Sequence, residues 1–221
     1  MIRKLEAGRR GPAQGEARQA LVLVHGYGAD GNDLLGLADP LAPHLPDTVF
    51  LAPDAPEPSA AAPMGRQWFP IPWIDGSSEV VAMEGLARAA DDLDAFLDET
   101  LAAEGLTPDR LALLGFSQGT MMSLHVAPRR ADPIAGIAAF SGRLLQPERL
   151  DEVVSKPPVL LLHGDRDDVV PYDSMAHAAE HLTAAGFETY TYTMQGTPHG
   201  IAPDGLGQAV AFLRQCFKMT G

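Results

Sequence analysis

A single cysteine occurs among 221 residues, so the chain cannot form an internal disulfide. Nothing therefore calls for an oxidising compartment. Cys216 falls in an expected C-terminal helix and reads as a half-buried structural thiol. Basic residues are scarce, with 16 Lys and Arg against 29 Asp and Glu and a net charge of -13. That balance argues against nucleic acid as a partner, because its binding needs basic surface. Adsorption to anionic membranes is disfavoured for the same reason. No apolar run approaches the length of a membrane span, so stable membrane insertion is not expected. The first ten residues carry charges but lack the apolar stretch of a signal peptide, and the cytoplasm is the expected location.

What the chain does have is an alternation of short apolar runs and helix-like segments. Residues 20–24, 48–52, 111–114, 134–140 and 158–162 read as buried strands. Residues 187–193 alternate polar and apolar and read as a strand at or near a sheet edge. Continuous apolar strands imply a sheet covered on both faces, hence parallel strands with helical crossovers. Helical spacing predicts the longest helix over 78–103, with Val81, Leu86, Ala89, Leu93, Phe96 and Leu97 on its apolar face. Further helices are expected at 118–127, 173–185 and 206–217, and Gly105 and Gly186 sit where helix C-caps belong. The length suits one α/β domain spanning 1–221, in which 1–19 is an N-terminal extension or an edge strand.

Residues 54–77 depart from this pattern. They are rich in Pro and Ala and carry both tryptophans, Trp68 and Trp73. A loop of this length in a compact domain is usually functional or disordered. Two Trp and Phe69 argue against disorder. Such an aromatic loop lies near a cleft and, if exposed, suits a homodimer contact.

The densest chemical signal is Gly115-Phe116-Ser117-Gln118-Gly119, between an apolar run and a helix-like run. Strand, sharp turn, helix is the context in which G-x-S-x-G presents a nucleophilic serine. The two glycines remove side chains where neighbouring backbone passes closely. By chance alone the five-residue pattern arises in about one such chain in ten, so the supporting groups decide its meaning. Of seven histidines, His199 alone lies in a Gly- and Pro-flanked loop after the last strand. His25 and His163 precede glycines at strand ends and read as turn supports. His44, His125, His177 and His181 read as surface or packing residues.

An orienting acid should follow the fifth strand, in His163-Gly164-Asp165-Arg166-Asp167-Asp168. The spacing favours Asp167, with Asp168 the alternative and Asp165 bonding amides of its own turn. The order Ser, Asp, His is the one found on this architecture. A calcium loop does not fit, because position twelve counted from Asp165 is Ala176 rather than Glu. An oxyanion hole is expected from the backbone N–H groups of Tyr27 and Gln118, with Gly26, Gly28 and Gly31 bending the first loop. Asn32 and Asp33 read as a helix cap and a loop brace.

Together these motifs resemble those of the phospholipase/carboxylesterase family of α/β-hydrolases, which includes the acyl-protein thioesterases. The likeness runs from Leu21 to Phe217. It implies a mostly parallel central sheet with helices on both faces and no large cap domain. It implies Ser117 as nucleophile, His199 as base, Asp167 as acid and the Tyr27 and Gln118 amides as oxyanion hole. It also implies that Trp68 and Phe69 line the acyl-binding cleft, although Pro70 follows them where many relatives carry an aspartate. The expected activity is hydrolysis of short to medium carboxylic esters, without metal or cofactor. Thioester or lysophospholipid hydrolysis is the alternative, and a non-catalytic binding module the remote one.

Overall fold

The computed structural model describes residues 1–60 and 62–219. Its strands are β1 (Ala7–Arg10), β2 (Gln19–Val24), β3 (Thr48–Pro53), β4 (Glu57–Pro58), β5 (Arg66–Gln67), β6 (Leu111–Phe116), β7 (Gly136–Phe140), β8 (Val159–Gly164) and β9 (Thr189–Met194). Its helices are α1 (Gly31–Leu35), α2 (Ala38–Leu41), α3 (Pro72–Asp75), α4 (Glu79–Glu104), α5 (Gln118–Val126), α6 (Asp173–Ala184) and α7 (Pro203–Cys216). The main sheet has the order β1-β3-β2-β6-β7-β8-β9. Every pairing in it is parallel except that of the edge strand β1 with β3. β9 stands at one edge of this order, as expected of the last strand, and β1 stands at the other.

The apolar strands are continuous because both of their faces are buried. Ala20, Val22 and Val24 join the cluster under α4, α5 and α6, with Leu86, Leu93, Met122 and Leu182. Leu21 and Leu23 point the other way, to Leu34, Leu41, Phe212 and Leu213 of α1, α2 and α7. This is the period-two alternation of a strand with apolar layers on either side. The long helix α4 starts with the Ser78 side chain accepting from Val81 N–H and stops at Gly105, which takes a left-handed φ of 66°. Its buried Asp92 and Glu104 are met by Arg3 and Arg9 of the N-terminal segment, at 2.7 and 3.0 Å. Cys216 is half-buried, and burial pushes its thiol up to about 12, which suits packing rather than reaction.

The segment between β3 and α4 is organised rather than loose. The strands β4 and β5 pair as a small antiparallel ribbon, and α3 follows. No helix is long and apolar enough to cross a membrane among the described residues.

Candidate active site

Parallel strands place all their C-terminal ends on one edge, which is where an open α/β sheet builds its site. The structure brings the loops after β2, β6, β8 and β9 to that edge. Ser117 follows β6 directly and holds φ at 53°, a left-handed conformation that non-glycine residues rarely take. Its N–H is tied to Phe140 carbonyl at 2.9 Å, on the neighbouring strand β7. The motif's glycines have concrete reasons. A Cβ on Gly119 would sit 1.8 Å from the Val24 carbonyl oxygen, and one on Gly115 would sit 2.6 Å from that of Gly119. The Thr120 hydroxyl lies 2.8 Å from the Gly115 oxygen and 2.7 Å from that of Phe140, bracing the turn from within α5.

His199 starts three strands away from Ser117, because β7 and β8 separate β6 from β9. At about 4.8 Å per strand the gap is about 14 Å, so the loop after β9 must fold back across the sheet edge. Gly164 makes room: a Cβ there would lie 2.2 Å from the Thr197 oxygen. The Arg166 N–H bonds that same oxygen at 3.1 Å, and Asp165 Oδ1 accepts from the Gly196 N–H at 2.6 Å. Asp165 thus holds the histidine loop rather than its own turn, a correction to the sequence expectation. The imidazole of His199 packs on Phe116, with ring centroids 4.8 Å apart.

Asp167 is buried, and its Oδ2 accepts from His199 Nδ1 at 2.7 Å. Its Oδ1 accepts from the Val169 and Val170 N–H groups at 3.0 and 2.8 Å. Burial alone would raise this carboxyl, but the bonds from His199, Val170 and Val169 outweigh it and hold it below the ordinary carboxylate range. Asp168, the alternative, is exposed. The sequence reading missed that His163 Nε2 also lies 3.2 Å from Asp167 Oδ2 while bonding the Val170 carbonyl at 2.9 Å. Its position four residues before the acid was the available signal.

Ser117 and His199 line one cleft of about 180 Å³ with Gly26, Tyr27, Met121 and Val170. Ser117 Oγ makes no hydrogen bond to His199 among the described residues, and such pairs are often open before substrate binds. Neither the Tyr27 nor the Gln118 backbone N–H donates to any acceptor among the described residues. Tyr27 lines the cleft and Gln118 directly follows Ser117, and a pair of amide donors beside a nucleophile is what an oxyanion requires. A larger cavity of about 400 Å³ beside His125 and Arg129 contains none of these residues.

Trp68 and Phe69 require a correction. Trp68 is fully buried and Phe69 nearly so, and neither lines the cleft. The Gln118 side chain draws them inward: its Oε1 accepts from Trp68 N–H at 3.0 Å and its Nε2 donates to the Phe69 carbonyl at 2.7 Å. Trp68 Nε1 donates to the His25 carbonyl at 3.0 Å. Ile71, Trp73 and Ile74 form the cleft wall instead, and Trp73 is 61% exposed. The segment also braces the loop after β2, through Gly28 N–H to Arg66 carbonyl at 2.8 Å and Arg66 N–H to Ala29 carbonyl at 2.7 Å. Tyr27 hydroxyl reaches Asp75 at 3.4 Å. His25 is buried and accepts Ala55 N–H on Nε2 at 2.9 Å, and burial lowers its pKa, so it stays neutral in its supporting role. The cap of α1 is Asp30, not Asn32 or Asp33.

The strand order, the two helical layers and the strained turn before α5 define an α/β-hydrolase fold. Comparison with known proteins narrows this further. The sequence profile of the family described as Phospholipase/Carboxylesterase matches residues 11–217, so the chain belongs to that family. It is accordingly a carboxylesterase-family serine hydrolase. The crystal structure of esterase PE8 is 42% identical, with a TM-score of 0.90, covering 96% of this chain and 99% of that one. Acyl-protein thioesterase 1 of Gibberella zeae is 26% identical over 219 residues, 92% of this chain and 93% of that protein. Esterase YpfH of Escherichia coli strain K12 is 27% identical over 199 residues, 90% of this chain and 83% of that protein.

Proposed function

We propose that the chain hydrolyses short to medium carboxylic esters through Ser117, His199 and Asp167. The observation that carries this reading is the 2.7 Å Asp167–His199 bond opening onto the cleft that Ser117 also lines. With Nδ1 held by Asp167, His199 keeps Nε2 free for the serine proton. Ser117 Oγ attacks the ester carbonyl and His199 takes its proton. The tetrahedral oxyanion accepts from the Tyr27 and Gln118 amides, each worth about 3 kcal/mol. The alcohol leaves with the proton from His199, and water then repeats the sequence on the acyl-enzyme. A cleft of about 180 Å³ is below the roughly 300–1,000 Å³ of drug-sized sites, which supports small acyl groups.

A fluorophosphonate probe should label the wild type and leave Ser117→Ala unlabelled. Equal labelling of the two would remove Ser117 from the mechanism. Acyl-protein thioesterase activity is the second reading, supported by the curated relatives of that name across 92% of the chain. An acyl-length series on matched oxygen esters and thioesters separates the two readings. The greater identity to an esterase favours oxygen esters.

A further inference from the structure

Beyond β7 the chain turns through Ser141 and Gly142 against the nucleophile: a Cβ on Gly142 would sit 2.8 Å from the Ser117 carbonyl oxygen. The next residue is Arg143, and its side chain is exposed. Its guanidinium lies 5.3 Å from the ring centroid of Trp73, which lines the cleft. Eight other arginines (3, 9, 18, 88, 110, 129, 130 and 149) are ion-paired. Arg143 forms no salt bridge or hydrogen bond among the described residues, although acids outnumber bases 29 to 16. Of the carboxylates around the cleft, Asp167 holds His199, and Asp75 bonds Ile71, Ser77 and Tyr27. Asp33 stands on the cleft wall, and its carboxylate forms no ion pair with Arg143 among the described residues.

A guanidinium stacked on an aromatic face is held in one place, with its N–H fork still available. That fork matches a carboxylate, which it can bind with two parallel bonds. The overall charge of -13 repels anions at long range, so an anionic substrate would need a local cation of this kind. We propose that Arg143, held on Trp73, is a specificity-determining residue that binds an ionised carboxylate carried by the ester substrate. The preferred substrates are then half-esters or esters of hydroxy acids rather than wholly neutral esters. This proposal rests on the esterase reading above.

The test compares kcat/KM for anionic esters with that for neutral counterparts. 4-Nitrophenyl hemiglutarate against 4-nitrophenyl pentanoate places the charge on the acyl side. 4-Acetoxybenzoate against its methyl ester places it on the alcohol side. One of these anionic-to-neutral ratios should fall about fivefold in Arg143→Gln, the upper end for an exposed ion pair. Arg143→Lys, which keeps the charge, should retain most of that ratio. Raising salt from about 0.05 to about 0.5 M should lower it in the wild type and leave it flat in Arg143→Gln. Both ratios staying within about twofold in Arg143→Gln would overturn the proposal, as would equal loss on anionic and neutral esters. Failure of the wild type to hydrolyse any of the four esters would overturn the esterase reading itself, and the subsite with it.

Discussion

Replacing Gln118 with alanine should cost far more than the loss of a surface amide. The side chain is fully buried and bonds the Trp68 N–H and the Phe69 carbonyl at 3.0 and 2.7 Å. Alanine at 118 strands both backbone groups away from water. Each buried unsatisfied group costs about 1–3 kcal/mol, so the pair amounts to about 3 kcal/mol or somewhat more. A chain of 221 residues loses about 2–4 °C of Tm per kcal/mol. Gln118→Ala should therefore unfold about 6–12 °C earlier in a thermal scan followed by circular dichroism. Gln118→Glu adds a sign test. Its neutral form donates to the Phe69 carbonyl as the amide does, whereas its ionised form points charge at that oxygen. The folded-state pKa of the introduced carboxyl is then raised, so its stabilising contribution is present at low pH and lost as pH rises. Gln118→Glu should be nearest the wild type at about pH 5 and furthest from it at about pH 8. A Tm for Gln118→Ala within about 2 °C of the wild type would refute the view that this side chain clasps the aromatic segment.

Two further outcomes follow from the site and its surroundings. Asp167→Asn should lower kcat by about 10⁴-fold, because the amide favours the wrong imidazole tautomer. Asp168→Asn, altering an exposed carboxylate, should stay within a few-fold, and a swap of these two results in steady-state hydrolysis would move the acid by one position. His125 is held at about 4, first by burial and then by Arg129 and Arg149. As pH falls below 6.5 the unfolded chain gains a proton that folded His125 refuses until about 4, so stability is lost across that window. At 1.36 kcal/mol per pH unit the full effect is about 3 kcal/mol, and screening at this only partly buried site reduces it to about 1.5. Urea unfolding of the wild type and His125→Asn at both ends of the window should differ by that amount, and parallel pH profiles would show that His125 does not contribute.

Much of the molecule was legible because its signals are local. Period-two burial on both faces makes the strands read as unbroken apolar runs, and Ser78 and Gly105 mark the ends of α4 through capping bonds made within a turn. G-x-S-x-G is local too, since Gly115 and Gly119 answer to backbone within or beside the elbow. Trp68 and Trp73, five residues apart, carry no local sign of which lies inside. The Gln118 clasp and the His25 carbonyl, remote in sequence, draw Trp68 in and leave Trp73 on the cleft wall. Asp165 was misread for the same reason, because its partner Gly196 lies on the next loop.

The sequence by itself therefore determined the class of sheet, the strained serine turn and the order in which serine, acid and histidine follow it. These depend on residue type, spacing and backbone sterics over a few residues. Only the tertiary structure decided that two strands intervene between β6 and β9, and that the histidine loop folds back across about 14 Å to the cleft that Ser117 lines. It alone placed Arg143 on the face of Trp73 beside the cleft. Such contacts arise from strand order and crossover packing, which join residues far apart in the chain and leave no periodic trace in it.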